Sequence, residues 1–104
     1  MRKINQPKIK AFISLCEKML IDEFKAEKVE LSLSYNLVIN TRIGKLFLRV
    51  DAGPYCYSLF GNFIENVDEA KKEFGHWKYN THIGNEHQPE EAVDFIRQKI
   101  QLTQ

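Results

Sequence analysis

Apolar positions open the chain at helical spacing. Ile9, Phe12, Ile13, Cys16, Met19, Leu20 and Phe24 recur every three or four residues, with Lys10, Glu17, Lys18 and Lys25 on the opposite face. That pattern marks an amphipathic helix. Asn5 is placed to cap it and Pro7 suits its first turn, so a helix is predicted over residues 7–26.

The period then changes to two. In KVELSLSYNLVI, the residues Val29, Leu31, Leu33, Tyr35, Leu37 and Ile39 alternate with Glu30, Ser32, Ser34 and Asn36. Such alternation reads as one half-buried strand of an antiparallel sheet. A turn follows at Asn40, Thr41 and Gly44. KLFLRV continues with Leu46, Leu48 and Val50 facing one way, and Lys45, Phe47 and Arg49 the other. DAGP is a turn signal. YCYSLFGNF then reads as a third strand, aromatic on both faces, so its inward face stays open.

NVDEAKKEFG has the marks of a second helix. Asn66 is placed as its cap, Asp68 and Glu69 at its positive end, Lys71 and Lys72 later, and Gly75 at its close. HWKYNTHI divides by alternation, with Trp77, Tyr79, Thr81 and Ile83 on one face and His76, Lys78, Asn80 and His82 on the other. A last helix begins at Pro89 with Glu90 and Glu91 in its first turn, then buries Ala92, Val93, Phe95, Ile96 and Ile100. The expected architecture is a single α+β domain over residues 1–104, ordered α-β-β-β-α-β-α, with a four-stranded, mostly antiparallel sheet packed by three helices.

Length and composition agree with one domain. A chain of 104 residues, 43% hydrophobic and 28% charged, is ordinary for a globular protein, and folding at this size removes roughly 65% of the exposed surface. Net charge is +1, yet residues 1–50 hold ten Lys/Arg against five Asp/Glu, and residues 51–104 hold five against nine. That imbalance is too mild for a nucleic-acid footprint. No stretch approaches the roughly 18 apolar residues of a membrane span, and AFISLC is too short for a signal sequence. A cytosolic protein with no membrane partner is expected. Cys16 and Cys56 make no disulfide framework; a bridge between them is open on sequence, and a cytosolic setting argues against it.

The three histidines lie within HWKYNTHIGNEH, residues 76–87. In an extended strand His76 and His82 stand about 20 Å apart, too far to share a zinc ion. His82 and His87 could converge through the turn, with Glu86 as a third ligand, although no paired cysteines support a metal. A catalytic pairing of Cys16 or Cys56 with one of these histidines has no local motif behind it. Phosphate-binding loops and glycine-rich fingerprints are absent, so neither cofactor nor metal is expected.

A helix followed by three strands and a helix resembles the double-stranded-RNA-binding domain in topology. There Lys45, Arg49, Lys71, Lys72 and Lys78 would meet phosphates, but NVDEA puts acid where that family carries its basic cluster. The runs GKLFLRV, YSLFGNF, DEAKKEFG, WKYNTHIG and PEEAVDFI, spanning residues 43–97, resemble small uncharacterised proteins carried by bacterial phages and plasmids. WKYN departs from the KWN of that group, and no catalytic residues come with the likeness. The resemblance implies a stand-alone protein that binds and blocks a host enzyme, such as a CRISPR effector or another defence protein.

The expectation is therefore a non-enzymatic binding module acting by steric blocking. Lys45, Phe47, Arg49, His76, Lys78, Asn80 and His82 are its contact residues, because aromatics mixed with arginine are enriched at interfaces. Its partner would be a host protein or nucleoprotein complex. A homodimer and a nucleic-acid-binding domain are the alternatives, with a small hydrolase or metal protein behind them.

Overall fold

A computed structural model describes residues 3–31, 34–64 and 79–104. Their order is α1 (Gln6–Phe24), β1 (Glu27–Leu31), β2 (Ser34–Thr41), β3 (Gly44–Ala52), β4 (Cys56–Ile64), β5 (Tyr79–Gly84) and α2 (Pro89–Gln101). The strands form one antiparallel sheet in the order β1-β2-β3-β4-β5. The fold is thus α+β, with two helices and five strands among the described residues. The helix expected at 66–75 lies outside them.

The fifth strand is a correction. The run expected to form one strand from Lys28 to Ile39 reverses instead between Leu31 and Ser34, making the β1–β2 hairpin. Twelve extended residues would reach about 40 Å, whereas α1, at 19 residues, covers about 28 Å. Folding the run back keeps it within reach of that helix. The pairing of β1 with β2 also inverts the faces. Lys28 pairs with Leu37 and Val29 with Asn36, so Val29 lies on the face opposite Leu37 and not beside it.

Both helices end as their sequences dictate. The Lys8 amide donates to Asn5 Oδ1 at 2.9 Å, satisfying a donor the first turn leaves unpaired. At the other end Lys25 turns left-handed, with φ 59°, and the Ala26 amide donates back to the Leu20 carbonyl at 3.1 Å. The Lys25 amide donates to the same carbonyl, so a left-handed residue closes the helix and satisfies one of its last carbonyls. In α2, Pro89 stands in the first turn, and the Gln88 amide donates to Glu91 Oε1 at 3.3 Å.

One core holds these elements together. Phe12, Cys16, Met19 and Leu20 of α1 meet Leu37, Ile39, Leu46, Leu48, Tyr57, Leu59 and Ile83 of the sheet, and Ala92, Val93, Ile96 and Ile100 of α2 complete it. α1 packs on β2 and β3, and α2 packs on α1. Tyr57 settles the inward face of β4. It is fully buried, its ring 4.8 Å from that of Phe12. Phe95, expected inside, is 43% exposed: α2 leans on α1, and Phe95 faces outward against His87, ring centroids 5.0 Å apart. Among the described residues no helix is long and apolar enough to cross a membrane.

Candidate functional site

The sheet face opposite the core carries most of the expected contact residues. Cross-strand pairing sets Lys45, Phe47, Arg49 and Asp51 of β3 beside Ile64, Asn62, Phe60 and Ser58 of β4, and Ser58 beside His82 of β5. Paired residues share a face, so alternation placed Lys45, Arg49 and His82 together correctly. Lys45 and His82 are exposed and Arg49 is half-buried. Arg49 Nη2 stands 3.9 Å from Asp51 Oδ2, with both side chains more than 40% exposed, a pair worth little in water. Asn80 is placed by its backbone alone, opposite Phe60, and His76 and Lys78 lie outside the described residues.

Phe47 requires a correction. It lies on this face as expected, but it is only 3% exposed. Its cross-strand partner Val38 is also buried, as is Asn36. None of the three belongs to the helix-covered core. The centre of the sheet is therefore closed on both sides, and the Phe47 ring is not available as a contact.

Next to it, β4 and β5 bring together a group that no local motif joins. The His82 Nδ1 atom lies 3.2 Å from Ser58 Oγ and 3.8 Å from Cys56 Sγ, and Cys56 Sγ lies 3.6 Å from Ser58 Oγ. Ser58 is 3% exposed; Cys56 is half-buried and free. Phe60 meets the His82 ring edge-on at 5.6 Å. Twenty-six residues separate Cys56 from His82 in sequence, so only strand register could have revealed the pairing. Cys16 is the opposite case. Burial, with some help from Glu17, pushes its thiol up to about 12, as expected of a cysteine on an apolar helix face.

His87 goes to other partners. Its Nε2 is 3.3 Å from Glu86 Oε1 and its Nδ1 is 3.4 Å from Glu91 Oε2. Among the described residues no three His, Cys, Asp or Glu side chains are grouped so as to hold a metal ion.

A second surface forms at one end of the molecule. The β2–β3 turn is pinned by the Thr41 hydroxyl, which donates to the Gly44 carbonyl at 2.7 Å and accepts from the Ile43 amide at 3.2 Å. The Arg42 amide donates to the Thr103 carbonyl at 3.0 Å, tying the residues after α2 to this turn. Ile43 is 65% exposed, Leu102 79% and Phe63, beside Gly44, 44%. Three of the six large apolar side chains exposed among the described residues thus gather at this end. Residues 40–50 and 98–104 supply Arg42, Lys45, Arg49 and Lys99 with no acidic side chain among them, and Asp51 stands beside Arg49. The sequence signal for this surface was weak, because Ile43 and Leu102 interrupt no periodic pattern.

Between α1 and α2 runs a groove of about 330 Å³ with Leu15, Met19 and Val93 in its walls. Arg97 closes it, binding both Glu23 oxygens at 2.9 and 3.1 Å through Nε and contacting Asp94 through Nη1. These carboxylates push the Arg97 guanidinium further toward its charged form. Asp22 and Glu90 also line the groove.

No family model, no curated protein and no solved structure matches this chain.

Proposed function

We propose that the protein is a non-enzymatic binding module that docks on a partner protein through the end formed by the β2–β3 turn, Phe63 and the residues after α2. The gathering of Ile43, Phe63 and Leu102, all exposed, carries this reading. Apolar side chains of this size left in water at one place mark an interaction surface. Arg42, Lys45 and Lys99 around them select a partner whose apolar hollow is rimmed by carboxylates. The same charges oppose a symmetric dimer through this end, which would bring like charges together. Lys45 and Arg49 extend the surface onto the sheet face, taking the role first expected of Phe47.

Steric blocking is the mode of action that such a small rigid surface supports. The likeness of residues 43–97 to phage- and plasmid-carried proteins favours a host defence protein as the target. Photo-crosslinking from position 43, compared with position 10 on the exposed side of α1, tests the surface. Adducts from position 43 should map to one acidic, apolar patch of a single protein. Nucleic acid, or a second copy of the chain, as the main adduct would overturn the reading.

A further inference from the structure

The geometry points to Cys56 as a nucleophilic thiol, with His82 as its base, that forms mixed disulfides with small uncharged or cationic disulfides. Cys56, Ser58 and His82 meet in a three-way contact that involves none of the docking residues. Ser58 is 3% exposed, so its hydroxyl must find partners within the protein. It lies 3.2 Å from His82 Nδ1 and 3.6 Å from Cys56 Sγ.

The three groups satisfy one another in both protonation states. With the thiol protonated, Nδ1 accepts from the Ser58 hydroxyl or from the Cys56 S–H. With the proton moved, the imidazolium Nδ1–H donates to Ser58 Oγ, and the Ser58 hydroxyl turns to donate to the thiolate. A thiolate beside an imidazolium and a hydroxyl is the arrangement that activates cysteine elsewhere. Cys56 is half-buried and His82 exposed, so a small reagent can reach the sulfur.

Reaction with a disulfide then balances. The Cys56 thiolate attacks one sulfur of RSSR, the S–S bond breaks, and a Cys56–SR bond forms. The departing RS⁻ takes the proton held by His82 and leaves as RSH. No further oxidant is needed.

Glu86 sets the charge preference. Gly84 is the cross-strand partner of Cys56, and the Glu86 carboxylate fills the place where a Gly84 Cβ would stand. Cross-strand Cβ positions lie about 5 Å apart, so an anionic reagent approaching the sulfur meets this carboxylate. His87 Nε2, 3.3 Å from Glu86 Oε1, is the other titratable group against it.

The test treats the reduced full-length chain with cystamine, which is cationic, and with dithiobis(nitrobenzoate), which is anionic, and locates adducts by peptide mass spectrometry. One adduct per chain is expected, on Cys56, with Cys16 modified only after denaturation. His82→Gln should slow the reaction at least about tenfold, with an unchanged unfolding midpoint and Cys16 still protected. Ser58→Ala should slow it less. Glu86→Gln should raise the anionic reagent's rate about threefold relative to cystamine. A His82→Gln chain that is folded by these two criteria and reacts at the native rate would overturn the proposal, as would native labelling of Cys16 in place of Cys56. If His82→Gln exposes Cys16, His82→Asn carries the same comparison.

Discussion

The Tyr57 hydroxyl donates to the His87 carbonyl at 3.1 Å, joining the middle of the sheet to the segment that leads into α2. Tyr57 is fully buried, and its ring lies against Phe12 of α1. One side chain therefore ties β4, α1 and the α2 entrance together. Tyr57→Phe keeps the packing and loses the bond, which should cost about 1 kcal/mol and lower the thermal midpoint by about 4–8 °C. Tyr57→Ala should cost about 3–5 kcal/mol, through the cavity it opens.

Gly61 marks a close approach between strands. A Cβ there would stand 2.9 Å from Leu48 Cδ2, 3.1 Å from the Phe47 carbonyl oxygen and 3.3 Å from Leu46 Cδ1. The backbone oxygen cannot move aside without disturbing the ladder. Gly61→Ala should destabilise the fold by about 1–3 kcal/mol, read from denaturant midpoints. Gly53→Ala, with nothing within 4 Å of its added Cβ, should leave them unchanged.

Alkaline pH should weaken the fold through Cys16. Its thiol is raised from 9.0 to about 12 in the native state, so between those values the unfolded chain loses this proton and the folded chain keeps it. The stabilisation is whole below pH 9 and falls at up to about 1.4 kcal/mol per pH unit above it. Tyr57, also raised by burial and by Glu90, adds to the loss at higher pH. Urea titrations at pH 8 and pH 10 should show the drop, and Cys16→Ala should make it shallower.

Arg97 and Glu23 join α2 to α1 through 2.9 and 3.1 Å contacts, yet both side chains are at least 31% exposed. Water and salt screen such a pair. Arg97→Gln should cost no more than about 1 kcal/mol, and melting curves of the two chains should converge as salt is raised.

Much of this fold was readable because its signals are local. The 3–4 spacing from Ile9 to Phe24 and from Ala92 to Ile100 gave both helices, and Asn5, Pro7 and Pro89 gave their starts. Alternation gave the faces of β3, and at β5 it separated buried Ile83 from exposed His82. The β1–β2 reversal stayed hidden because LSLSYNL alternates straight through it, with no glycine or proline to break the period. Non-local facts were equally hidden. Phe47 follows the polar-face pattern of its neighbours but is closed off, and Cys56 and His82 meet only because β4–β5 register pairs His82 with Ser58.

Docking through the end that carries Ile43 and Leu102 is read out by affinity for the crosslinked partner. Ile43→Asp and Leu102→Asp should each weaken binding at least about tenfold, a loss of about 1.4 kcal/mol, while melting at the native temperature. Native affinity in both variants would contradict the account.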